Sequence, residues 1–154
     1  MCVSFFIVGD NMNDIYMKIA LKEAKKALKK NEVPIGAIIV KNNKIIAKAH
    51  NQKEKTKIVT KHAEIIAIEK ACKKLKTWHL NDCILYTTVE PCLMCSGAII
   101  QSRIDKVVYG TENEKFGKLN NIIKNDNIKI EIESGILKNE SIDLLQQFFN
   151  KKRK

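Results

Sequence analysis

Cys83-Ile-Leu-Tyr-Thr-Thr-Val-Glu-Pro-Cys-Leu-Met-Cys-Ser-Gly-Ala-Ile-Ile-Gln101 reads as a strand running directly into a helix. Cys83 to Thr88 is rich in aliphatic, aromatic and β-branched residues, which suits a buried strand. Cys92 to about Gln101 is an apolar helical run, and Pro91 is expected at its first position, where a missing N–H costs nothing. The same alternation extends outward in both directions. Asp14 to Lys30 predicts a helix with Ile15, Ile19, Leu21, Ala24 and Leu28 apolar and Lys on the other faces. Ile35 to Val40 and Lys44 to Ala49 predict strands joined at Asn42-Asn43, a residue type that tolerates left-handed turns. His62 to Leu75 predicts a helix apolar on most sides. Lys106 to Tyr109 and Ile128 to Glu133 follow as strands, and Glu140 to Lys151 as the last helix. Strands interleaved with helices, with no repeat or Pro-rich linker between them, indicate one layered α/β sandwich.

The chemistry concentrates at two helix starts. His62-Ala63-Glu64 and Pro91-Cys92-Leu93-Met94-Cys95 supply His62, Cys92 and Cys95 as three zinc ligands, with Glu64 left over as a carboxylate. A catalytic zinc site has three protein ligands and keeps a fourth position for water, whereas a structural one is closed by four. Zinc lowers the pKa of water to roughly 7, and a nearby carboxylate that does not ligate can carry the proton to a leaving group. Residues i and i+2 of a regular helix point about 200° apart, so His62 is expected at an irregular first turn. Cys92 and Cys95, spaced i, i+3, share one helical face at an N-terminus that favours thiolate. A lone C-x-x-C also suits redox chemistry or structural zinc. No fourth ligand stands out: His50 and His79 read as structural or exposed, Cys72 and Cys83 as small core residues, and Cys2 is uninformative.

The order H-x-E…P-C-x-x-C matches the signature of zinc-dependent nucleobase deaminases. The likeness goes further. Glu90 to Ile104, with its Ser102-Arg103-Ile104 ending, resembles the bacterial tRNA-specific adenosine deaminases, as do Val33-Pro34-Ile35-Gly36-Ala37 and Asn51. So do Gly135-Ile136-Leu137, Leu144-Leu145 and Phe148-Phe149 near the C-terminus. The resemblance runs from about Asp14 to Arg153. It implies a cytidine deaminase-like, three-layer α/β/α sandwich with a five-stranded mixed central sheet. It implies a single zinc-dependent deaminase domain over residues 12–154, with residues 1–11 as an extension ahead of a working start at Met12. The implied reaction is hydrolytic deamination of adenosine to inosine at the wobble position of a tRNA anticodon.

Carried over residue by residue, His62, Cys92 and Cys95 hold one zinc ion per subunit and Glu64 shuttles protons. Asn51 bonds the base, the Ala63 N–H helps hold the substrate and Ile35 supplies an apolar wall. Phe149, Lys152 and Arg153 contact the anticodon stem-loop, and the implied assembly is a homodimer. Two segments depart from the family pattern. Ile58-Val59-Thr60-Lys61 stands where members commonly have Asp-Pro-Thr-Ala, and Thr111-Glu112-Asn113 where they often show Ala-Arg-Asp. The stretch from Phe116 to Asn127 reads as shorter than usual. Two other functions share the zinc motifs: a small-molecule deaminase of guanine or cytosine, and an RNA-binding subunit of a heterodimeric tRNA deaminase. The C-terminal segment argues against the first, and the intact Glu64 against the second.

Composition fits this outline. A chain of 154 residues suits one domain with a sizeable core. No run of about 18 apolar residues offers a membrane span, and Met1 to Val8 lacks the basic start and cleavage site of a secretory signal. An odd count of five cysteines in a Lys-rich chain indicates a reducing, cytoplasmic setting. The net charge of +11 favours nucleic acid as a partner. All of the basic residues except Arg103 and Arg153 are lysine, however, and biased composition explains that charge equally well.

Overall fold

A computed structural model describes residues 11–115, 119–126 and 128–152. In chain order the elements are α1 (Met12–Lys29), β1 (Gly36–Lys41), β2 (Lys44–His50), α2 (Lys53–Thr56), α3 (Ala63–Leu75) and β3 (Cys83–Val89). There follow α4 (Leu93–Gln101), β4 (Lys106–Thr111), α5 (Leu119–Asp126), β5 (Glu131–Glu133) and α6 (Lys138–Lys152). The strands form one sheet in the order β2-β1-β3-β4-β5. β1 is antiparallel to β2 and β3, while β3–β4 and β4–β5 are parallel, so the sheet is mixed as expected.

The central strands are apolar on both faces because both faces are covered. Ile38 and Val40 of β1, Tyr86 of β3 and Val108 of β4 pack with Tyr16, Met17 and Ala20 of α1 and Leu144 of α6. The alternate residues Ala37, Ile39, Leu85, Val107 and Tyr109 face Ala67 and Ala71 of α3 and Ile99 of α4. Two helical layers therefore enclose the sheet in an α/β/α sandwich.

α1 begins at Met12, where the Asn11 side chain accepts the Asp14 N–H at 2.9 Å. This is the usual helix-capping bond, so Asn11, assigned to the extension by sequence alone, serves the helix. Two short helices were absent from the sequence outline. Leu119, Ile122 and Ile123 of α5 follow an i, i+3, i+4 pattern, and Leu119 is fully buried. α2 has no buried residue of its own and depends on a tertiary contact described below.

Gly36 sets how closely α1 lies on β1. A Cβ here would overlap the Ala20 carbonyl oxygen and come within 2.6 Å of the Ala24 amide nitrogen, both rigid helix backbone. Gly36→Ala is therefore expected to lift α1 at a cost of about 3 kcal/mol. Thermal unfolding should show a midpoint roughly 10 °C lower. An unchanged midpoint would mean that the helix is not seated this tightly.

Candidate active site

The parallel strand β3 ends at Val89, and the chain turns through Glu90-Pro91 into α4. α3 starts beside it. Both helices are capped by a residue in extended backbone: His62 (φ −78°, ψ 155°) precedes α3 and Cys92 (φ −71°, ψ 177°) precedes α4. This resolves the 200° problem, since His62 leaves the helical spiral just before Glu64 enters it. It also corrects the placement of Pro91, which lies outside the helix. Cys92 takes the capping position and Cys95 the third helical one, a pairing whose side chains meet over a helix start.

The Sγ atoms of Cys92 and Cys95 each lie 3.6 Å from His62 Nδ1. Zn–S bonds of about 2.3 Å and Zn–N bonds of about 2.0–2.1 Å at tetrahedral angles put such ligands about 3.6 Å apart. The donor set and its spacing thus fit zinc. Among the described residues, His62, Cys92 and Cys95 form the one such group able to hold a metal. His50 is engaged with Glu23 at 3.1 Å, and the His79 ring stacks on Trp78. Cys83 is buried and Cys72 half-buried, both as free thiols.

The electrostatics suit a shared proton and a waiting cation. A hydrogen bond from Cys95, opposed by burial and helped by His62, pulls the Cys92 thiol down to about 4. That same contact, together with burial, pushes the Cys95 thiol up. The bond to Cys92 raises the His62 imidazole above its ordinary value, against the opposing pull of burial. Glu64 is 3% exposed, and burial pushes its carboxyl up to about 7. Its Oε1 is buried with no hydrogen-bond partner among the described residues. An unsatisfied buried oxygen is costly, and this one belongs to the helix that follows His62, itself one of the side chains able to hold a metal.

His62 and Glu64 line a cleft of about 840 Å³, together with Ile35, Asn51 and Ala63. The Asn51 N–H donates to the Ile35 carbonyl at 3.1 Å, so the pocket asparagine and the apolar wall are fastened together. Ala63 is buried at the first position of α3, where backbone N–H groups lack helical partners.

α6 supplies the far wall. Lys138, Ile142, Leu145 and Phe149 line the cleft, at the spacing of one helical stripe. Ser141, Leu144 and Phe148 face inward and are buried. Phe149 is therefore a cleft residue and Phe148 a core anchor. The Lys152 ammonium sits 5.0 Å from the centre of the Phe148 ring and does not line the cleft. Arg153 lies outside the described residues.

Sequence alone missed the support beneath Asn51. Glu32 is 1% exposed, and its two carboxylate oxygens accept the Glu54 and Lys55 N–H groups at 2.9 and 2.7 Å. These are free donors at the start of α2, a helix too short to stand alone. The preceding residue, Lys53, opens α2 and donates its N–H to Asn51 Oδ1 at 3.4 Å. Glu32→Ala is expected to cost about 1–3 kcal/mol and to raise KM more than it lowers kcat, with the metal ligands untouched. Thermal unfolding and steady-state kinetics would check this. An unchanged KM would separate α2 from substrate binding.

An α/β/α sandwich with paired ligand-bearing helix starts beside a buried glutamate defines a deaminase of the cytidine deaminase-like class. The family model for MafB19-like deaminases matches residues 11–153. The chain is 46% identical over 147 residues to the tRNA-specific adenosine deaminase of Bacillus subtilis, covering 92% of this chain and 91% of that one. A solved structure from work on A-to-I editing by tRNA:A34 deaminases at the wobble position of transfer RNA aligns with TM-score 0.80. It is 35% identical, covering 85% of this chain and 99% of that one. The guanine deaminase of Bacillus subtilis also aligns, with TM-score 0.64 and 41% identity, covering 68% of this chain and 67% of that one. The chain belongs to the tRNA-specific adenosine deaminase family.

Proposed function

We propose that this protein converts adenosine to inosine by hydrolysis at the wobble position of a tRNA anticodon. The observation that carries the reading is the likeness to a tRNA-specific adenosine deaminase, 46% identical over 92% of this chain and 91% of that one.

His62, Cys92 and Cys95 would hold a zinc ion, which supplies a water activated for attack at neutral pH. Glu64 takes the proton from that water and returns it to the departing amine; its lone buried oxygen and its pKa near 7 suit both transfers. Asn51 hydrogen-bonds the base, Ile35 packs on its face, and the Ala63 N–H holds the substrate at the start of α3. The base must leave its stack to reach this floor. Phe149, about half exposed in the cleft, offers a stacking surface for a neighbouring base. Lys152 and Arg153 continue the basic end of α6 toward the RNA.

Leu93 is 62% exposed on α4 beside the site, an apolar surface suited to a second copy of the chain in a homodimer. Among the described residues no helix is long and apolar enough to cross a membrane. A cytoplasmic enzyme acting on tRNA fits this, with residues 12–154 as the deaminase domain and residues 1–10 ahead of the helix cap.

Ammonia release from an anticodon stem-loop, free adenosine, guanine and cytosine tests the substrate class. Release from the stem-loop alone is expected. Release from guanine or cytosine alone would move the protein to the small-molecule deaminases.

A further inference from the structure

Glu112 follows β4 and Lys138 opens α6, and both line the cleft. Their side chains meet at 3.0 Å across its wall. The departure Thr111-Glu112-Asn113 places this carboxylate where RNA would pass, and the ion pair explains how its charge is tolerated. The bond to Lys138 holds the Glu112 carboxyl below the usual range.

Such a pair is a weak structural brace. Lys138 and Glu112 are 44% and 48% exposed, and pairs this open to water contribute little to stability. A phosphate offers an ammonium the same kind of charged acceptor in exchange. Two features of the cleft favour that exchange. Lys53 and Lys115 also line it, so cations stand around a floor fitted to a base. Lys138 also shares its helical stripe with Phe149, eleven residues and about 16 Å further along α6. A cation and an exposed aromatic on one face form the arrangement that tracks single-stranded nucleic acid, charge against backbone and ring against base.

We propose that Lys138 is a phosphate contact for the RNA strand, held by Glu112 in the free protein and surrendered when the backbone of the anticodon loop enters the cleft. Glu112 then acts as a stand-in anion that keeps Lys138 extended over the cleft wall. The proposal rests on the RNA reading above.

Binding of a fluorescent anticodon stem-loop to zinc-loaded protein, measured across a salt series, tests it. Every protein carries Glu64→Ala so that no turnover intervenes. Lys138→Gln should weaken binding about 3–10-fold and flatten the slope of log K against log salt by about 0.7. Lys138→Arg should restore both, which separates lost charge from a lost fold. Glu112→Gln should bind as well as its parent or up to about 5-fold tighter, with the slope unchanged, since it removes a competing anion worth at most about 1 kcal/mol. An unchanged affinity and slope for Lys138→Gln would overturn the phosphate contact. Equal weakening by Lys138→Gln and Glu112→Gln would also overturn it, showing that the pair braces α6 instead. Absence of stem-loop binding by the parent would overturn the RNA reading, and this proposal with it.

Discussion

Glu64→Gln is expected to leave zinc bound and to lower turnover by about 10³-fold or more. The amide keeps the size and the buried position of the glutamate, which is 3% exposed at the second residue of α3. His62, Cys92 and Cys95 are untouched, so metal content measured on the purified variant should match that of the parent. The loss arises because an amide cannot take a proton from water and return it to the amine. General acid–base catalysis contributes about 10²–10⁴-fold per group, and the proposed mechanism assigns both transfers to one carboxylate. Loss of metal with loss of activity would assign Glu64 to the metal site instead. Retained activity would remove it from the chemistry altogether.

Removal of the metal is expected to have the second large effect. Chelation should abolish turnover and lower the thermal midpoint, and added zinc should restore both. The stabilisation follows from linkage: a ligand present at a thousand times its dissociation constant stabilises the folded state by about 4 kcal/mol. Cys92→Ala should reproduce the chelated state and resist rescue by zinc, since only two ligands remain. A Cys92→Ala protein with full metal content and activity would contradict the ligand assignment.

The five strands and the four long helices were legible because each carries its own periodic signal. β1 and β3 read as apolar runs and proved to be buried on both faces. Boundaries moved by a few residues, most at β5, where pairing with β4 covers only Glu131 to Glu133. The grouping of His62, Cys92 and Cys95 was legible because zinc demands particular donor types, whereas their backbone was not. Pro91 was placed inside α4 from its own preference, but the chain stays extended through Cys92 and the helix starts only at Leu93. α2 could not be read at all. Its four residues have no apolar face, and the carboxylate that caps it stands at Glu32, more than twenty residues earlier. The cleft wall failed to show for a similar reason. Phe148 and Phe149 are adjacent in sequence, and only the docking of α6 decides which is core and which faces substrate. The pairing of Glu112 with Lys138 likewise joins a loop to a helix that no local pattern connects.

The most direct measurement is mass analysis of an anticodon stem-loop bearing a wobble adenosine after incubation with the zinc-loaded protein in oxygen-labelled water. The account predicts inosine at the wobble position alone, with one atom of labelled oxygen in the base and one ammonia released. An unmodified wobble adenosine beside deaminated free guanine or cytosine would contradict it.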